Sequence, residues 1–280
     1  MTIALFHNTT VPPELIAKLS QQYPATSIVQ KTERCVLLTG LNESANKLAV
    51  RELAKPYQTD IGIIPTHFDP TAIKVLAMDM DSTLINIECV DEIADAVGKK
   101  AEVSAITEAA MRGEIKDFCE SLRRRVALLK GTPAQALDDV FNQRLKLNRG
   151  ADELIAQAHA RGIHTLLVSG GFTFFTEKLQ EQLNLNEVHA NQLEIVDGFL
   201  TGRVLGDIVD GSAKAHFVQA RCVAMGVTKH AAVTMGDGSN DLLMMTGSGL
   251  SIGHHAKPIV QEQADIAFNF VGLNAWLDLL

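Results

Sequence analysis

Cysteine is sparse in this chain and carries no pattern. The four residues (Cys35, Cys89, Cys119, Cys222) show no C-x-x-C spacing, which excludes a zinc ribbon or a disulfide framework and makes a reducing cytoplasm the expected compartment. A basic excess is missing as well. Against 33 Asp+Glu there are 25 Lys+Arg, a net charge of −8, the wrong sign for a nucleic-acid or polyanion binder. No apolar run approaches the ~20 residues that cross a bilayer, so no membrane partner is expected. The opening Met1-Thr2-Ile3-Ala4-Leu5-Phe6-His7 has neither a basic start nor a long apolar segment, so no secretory leader is expected. Aromatics make up only 5%, with one Trp. What remains is a hydrophobic content of 46% over 280 residues, enough for real cores and for roughly two domains.

Residues 1 to about 70 predict a small α/β unit, regulatory or dimerising, that leaves a homodimer open. Ile3–Phe6, Cys35–Leu38 and Ile61–Pro65 look like strands, and helices are expected from Pro12 to Leu19 and over 43–55. Prolines at both ends of Pro65–Pro70 mark a linker. From Lys74 the pattern changes. Strand-like runs at 74–79, 164–168, 231–235, 249–252 and 266–270 alternate with helical stretches at 151–161, 173–183 and 213–225. Such βαβ repetition predicts a Rossmann-like parallel sheet covered on both faces, with 71–280 as the second domain. Residues 86–147 interrupt it with helical periodicity (Val90, Ile93, Ala94, Val97; Val103, Ile106, Ala110) and read as a helical cap over the strand ends. Asn191–Gly202, with Asp197-Gly198 at its turn, reads as a hairpin or small flap.

Four segments carry chemistry. Asp79 and Asp81 close the first core strand, and side chains at i and i+2 of an extended chain share one face. One carboxylate can attack an electrophile while the other serves as acid and then base; for the pair in isolation a capping turn is the more ordinary explanation. Ser169-Gly170-Gly171 lies between a strand and a helix, where a hydroxyl and freed N–H groups can hold phosphate oxygens. Lys214 could neutralise phosphate, although a lone helix lysine is ordinarily solvated. Asp237-Gly238-Ser239-Asn240-Asp241 offers hard oxygen ligands of the kind Mg²⁺ takes. All four stand at or near the carboxyl ends of expected parallel strands, where open α/β sheets bind ligands. His254-His255 lack further partners and read as loop residues rather than metal ligands.

These four motifs in this order, over about residues 74–270, resemble the haloacid dehalogenase superfamily phosphatases. Within them the chain most closely resembles the phosphoserine phosphatases. The resemblance implies a haloacid-dehalogenase-like core and Mg²⁺-dependent hydrolysis of O-phospho-L-serine to serine, the last step of serine biosynthesis, through an aspartyl phosphate. It makes Asp79 the nucleophile and Asp81 the general acid–base. It gives Ser169, Gly170 and Lys214 to the phosphoryl group, and Asp79, the Asp81 carbonyl and Asp237 to the metal. Asn240 and Asp241 support the site. In the cap, Glu88-Cys89-Val90-Asp91-Glu92 and Phe118–Val126 resemble the family pattern, with Glu88 meeting the substrate ammonium, Arg125 its carboxylate, and Phe118 and Met111 lining it. The stretch from Met111 to Phe118 is one residue longer than usual, and Gly238-Ser239 replaces the more usual Gly-Ala. Arg123, Arg124 and Arg125 could equally form a solvated helix face. Phosphoryl transfer to an alcohol, another phosphomonoester, or a catalytically dead amino-acid sensor stand as rival functions.

Overall fold

Apolar runs separated by turn residues fold into strands and helices that share a single sheet. The computed structural model describes residues 1–41, 45–111, 114–115 and 117–280. In chain order the N-terminal unit comprises β1 (Thr2–Phe6), α1 (Pro13–Gln22), β2 (Ser27–Gln30), β3 (Cys35–Thr39), α2 (Lys47–Ala54) and β4 (Asp60–Ile64). The core opens with β5 (Val75–Met78). Four cap helices follow: α3 (Cys89–Ala96), α4 (Lys100–Met111), α5 (Phe118–Leu128) and α6 (Gln135–Gln143). The core resumes with α7 (Ala151–Ala160), β6 (His164–Phe172), α8 (Thr173–Leu183), β7 (Glu187–Val196), β8 (Phe199–Leu205) and α9 (Gly211–Ala224). It ends with β9 (Ala232–Gly236), α10 (Leu242–Met245), β10 (Leu250–His254), α11 (Pro258–Gln263) and β11 (Ile266–Phe268).

The strand order is β2-β3-β1-β4-β11-β10-β9-β5-β6-β7-β8. The fully buried β5 runs parallel to both neighbours, with Val75 opposite His164 on β6 and Ala232 on β9. Helices cover both faces of a parallel sheet of this kind, which explains why its strands are apolar throughout rather than alternating. Among the described residues no helix is long and apolar enough to cross a membrane.

The cap leaves the core through a narrow neck. Ile85 bridges Leu147, and the Asn148 amide donates to the carbonyls of Thr83 (2.8 Å) and Ile85 (3.0 Å). The β7–β8 hairpin turns at Asp197-Gly198, both at positive φ (51° and 81°), as a two-residue turn demands. It is no free flap. Leu200 N donates to Thr132 O (2.9 Å), and Gly131 N and Ala134 N donate to Leu200 O and Gly198 O (2.8 Å each), so the hairpin fastens the α5–α6 loop to the sheet edge.

The N-terminal unit buries its own cluster, including Leu5, Leu15, Leu19, Val50 and Ile61. Its strands nonetheless continue the core sheet, because β4 pairs antiparallel with β11 (Gly62 opposite Ile266). β2, solvent-exposed throughout, has no apolar alternation that sequence reasoning could detect. Polar contacts reinforce the junction. Lys47 Nζ donates to the carbonyls of Glu262 and Ala264, and Arg51 to that of Gln261, all at the C-terminal end of α11, where cations are favoured. The buried Asp60 carboxylate accepts from the backbone N–H groups of Asn269 (2.9 Å), Phe270 (2.8 Å) and Val271 (2.9 Å). Asp60→Ala strands those donors, so chemical denaturation should show a loss on the order of 2–3 kcal/mol. A loss below about 0.5 kcal/mol would mean that the junction does not depend on this carboxylate.

Candidate active site

The site forms where β5 stops. Asp79 N still donates to Met235 O of β9 (3.0 Å), keeping the chain extended, and the Asp79 carboxylate accepts from Met80 N at 2.7 Å. The backbone then makes one wide turn, with Ile85 N bonded to Met80 O (3.0 Å) and Ser82 in the left-handed region at φ +54°. A serine held there is strained. Its hydroxyl donates to Glu88 Oε1 (2.7 Å) and its N–H to Ile87 O (3.1 Å), which fixes the turn. Met80 goes into the core between Asp79 and Asp81, as the i, i+2 spacing requires.

Lys214 is not a solvated helix lysine. Asp210 caps α9 by accepting from Ala213 N (2.9 Å), and the first turn then carries Lys214 inward until it is 0% exposed. Its ammonium lies 2.8 Å from Asp79 Oδ2 and 2.7 Å from Asp241 Oδ1. Burial opposes that charge, but Asp241 and Asp79 outweigh it and hold the ammonium above the ordinary lysine range. Asp241 uses its other oxygen to accept from Asp237 N (3.1 Å) and Gly238 N (3.0 Å). Gly236 is needed here, because a Cβ would collide with the Asp241 carboxylate.

Asp79, Asp237 and Asp241 bring carboxylate oxygens within 4.8 Å of one another, with Lys214 bonded to two of them and Lys257 acting on Asp237. Asp241 spends its two oxygens on Lys214 and on the loop N–H groups, and Asp79 gives its two to Met80 N and Lys214. The surplus negative charge is felt. Burial, then Asp241, lifts the Asp79 carboxyl well above the usual range. Burial, then Asp241 and Glu88, pushes Asp237 up to about 7. A hard divalent cation suits this oxygen set. Asp81 is lifted to about 7, first by burial and then by Glu88.

The strand-to-helix turn supplies the opposite wall. Buried Ser169 accepts from Gly171 N through its Oγ (2.8 Å), and Asp81 rests against Gly171. Gly170 lies under the cap: a Cβ there would be 2.8 Å from Phe118 Cζ. Asn191, buried on β7, donates to Gly170 O and accepts from Val209 N (2.8 Å each), clamping the turn to the chain before α9. Only its place in a hairpin was visible in the sequence, so its supporting position was missed. Asn240 lies beside Gly238, partly buried.

In the cap the arginine run divides. Arg123 and Arg124 are exposed, and Arg124 pairs with Glu120, whereas Arg125 turns partly inward with its Nε buried. The Met111 side chain lies outside the described residues. His254 ends β10 rather than lying in a loop; burial, then His255, lowers it to about 4. Among the described residues it joins no metal-ligating group.

Residues 76–246 match the haloacid dehalogenase-like hydrolase model. A phosphoserine phosphatase of Polaromonas sp. strain JS666 is 54% identical over 211 residues, 74% of this chain and 89% of that protein. A HAD-family hydrolase from Salmonella enterica serovar Typhi superposes with TM-score 0.86 at 30% identity, covering 99% of this chain and 97% of the other. A phospho-aspartyl intermediate analogue of phosphoserine phosphatase superposes with TM-score 0.69 at 38% identity, covering 74% and 99%.

Lys214→Met should leave two buried carboxylates facing each other and lower stability by about 3–5 kcal/mol at neutral pH. The loss should shrink as pH falls and one carboxyl takes up a proton. Adding Asp241→Asn should recover part of it. An unchanged denaturation midpoint in Lys214→Met would show that the ammonium is dispensable to the fold.

Proposed function

The chain belongs to the haloacid dehalogenase-like hydrolase family, and we propose that it hydrolyses O-phospho-L-serine to L-serine and phosphate through an aspartyl phosphate on Asp79. The observation that carries the substrate assignment is the pair of opposite charges in the cap. Glu88 is bonded to Ser82 in the turn that follows Asp79 and Asp81, and Arg125 on α5 keeps its Nε buried without a partner among the described residues; a zwitterionic amino acid needs both charges.

Arg125 takes the substrate carboxylate and Glu88 its ammonium, which together aim the phosphoryl group at Asp79. Lys214, the Ser169 hydroxyl and the backbone at Gly170 receive its oxygens, and Asn240 supports them. A carboxylate oxygen of Asp79 forms a bond to phosphorus as the bond to the serine oxygen breaks. Asp81 gives its proton to that departing oxygen. Water then attacks the same phosphorus, Asp81 takes the proton back, phosphate leaves and Asp79 is restored. A carboxyl near 7 is populated in both forms at neutral pH, which suits one group to both tasks. Asp79, the Asp81 carbonyl and Asp237 would hold Mg²⁺, which offsets phosphoryl charge when bound.

Residues 1–70 are assigned as an N-terminal unit that braces the core at α11, and 71–280 as the phosphatase with its cap at about 86–147. Every group named above comes from one chain, so the chemistry does not require a homodimer. The four thiols, free in the structure, suit the cytoplasm.

Asp79→Asn should abolish phosphate release while keeping the circular dichroism of the parent, since volume is conserved, with melting shifted by the loss of one charged partner of Lys214; retained turnover would contradict the covalent route. Excess chelator should silence the parent and Mg²⁺ restore it, with Asp237→Ala needing more Mg²⁺; full activity in chelator would remove the metal from the account. Arg125→Ala should lower kcat/KM for phosphoserine by about ten- to a hundredfold. With p-nitrophenyl phosphate, which has no carboxylate, it should match the parent. An unchanged ratio between the two substrates would return Arg125 to the solvated face.

A further inference from the structure

The substrate assignment leaves one buried acceptor in the cap without a task. Asp91 Oδ1 is buried and, among the described residues, has no hydrogen-bond partner. An unpaired buried oxygen ordinarily costs on the order of 1–3 kcal/mol, so its position calls for a donor that arrives from elsewhere. Asp91 stands in the opening turn of α3, whose N-cap is Glu88, and the Glu88 charge acts on it. Across from α3, on α5, the Nε of Arg125 is likewise buried without a partner. No ion pair joins Asp91 to Arg125, yet Glu88 and then Arg125 are the charges that act most strongly on it.

The donor count explains what is missing. A substrate ammonium brings three N–H donors. Glu88, the acceptor assigned to it, already gives Oε1 to the Ser82 hydroxyl at 2.7 Å. Phe118 lies against Gly170, so α5 of the cap packs on the strand-to-helix turn of the core. We propose that Asp91 is a second specificity-determining residue of the site, its free carboxylate oxygen accepting from the ammonium beside Glu88. This assignment rests on the phosphoserine reading and extends it: the amino-acid half of the substrate is held by one cation and two acids. A ligand bearing an ammonium is thereby favoured over one bearing a carboxylate alone, which would face two uncompensated acids.

Four phosphomonoesters separate the cases: phosphoserine, phosphoethanolamine (ammonium only), 2-phosphoglycolate (carboxylate only) and p-nitrophenyl phosphate (neither). Asp91→Asn keeps the size and removes the charge, and Asp91→Ser provides a second variant. Both should lower kcat/KM about ten- to a hundredfold for phosphoserine and phosphoethanolamine, and leave the other two substrates within about twofold of the parent. Equal loss on all four would make Asp91 a structural residue of the cap. Loss confined to phosphoserine and 2-phosphoglycolate would make it a positioner of Arg125. No loss would make it a bystander. Each of these overturns the proposal. Failure of the underlying reading looks different: the parent itself would show no preference for phosphoserine over 2-phosphoglycolate.

Discussion

One buried ammonium organises the catalytic end of this molecule. Lys214 bonds to Asp79 just past the end of β5 and to Asp241 after β9, and so ties α9 to both. Taking an amine and two carboxylates out of water is costly unless each finds a partner, and here every one does. The arrangement leaves negative charge in surplus. Burial, with that surplus added, raises Asp79 and Asp237 and makes the site receptive to a cation, while Lys214 is already held in place. Asp241 contributes by support. By holding both Lys214 and the N–H groups of Asp237 and Gly238 it fixes the loop that presents Asp237.

The cap follows different physics. Among the described residues the cap holds two charged side chains with an unpaired buried atom, Arg125 Nε and Asp91 Oδ1. A region that binds a charged ligand must hold such groups in reserve, and its own packing has to offset their cost. The Asn148 neck and the hairpin contacts at Gly131, Thr132 and Ala134 hold the cap at two separated points. The cap is therefore held against the core by hydrogen bonds at both points.

Much of this was legible in the sequence because its signals are local. The i, i+2 spacing of Asp79 and Asp81 after an apolar strand, the glycines beside Ser169, and the acid-rich turn at Asp237 each declare their geometry within a few residues. The βαβ alternation gave the parallel core, and the periodicity of 86–147 gave the cap. What stayed hidden depends on distant partners. Lys214 alone reads as a surface lysine, and only the fold brings it to Asp79. Asn191 and Asp60 owe their importance to backbone groups 18 to 21 and about 210 residues away. The arginine run at 123–125 could not be divided without knowing which side of α5 faces inward. Nor did the apparent linker at 65–70 disclose that the sheet continues across it, since that continuity is a pairing between β4 and β11.

The N-terminal unit and the catalytic loops meet at α11. Lys47 and Arg51 hold its C-terminal carbonyls, while Lys257, just before its first turn, donates its backbone N–H to Asp237 O (2.9 Å). The central claim, however, concerns Asp79. Rapid acid quench of the enzyme turning over ³²P-labelled phosphoserine, followed by peptide mapping, tests it most directly. The account predicts acid-stable, hydroxylamine-labile label on the peptide carrying Asp79, accumulating further in Asp81→Asn if dephosphorylation slows more than phosphorylation. Label on another residue, or product formed in the first turnover without any acyl phosphate, would contradict it.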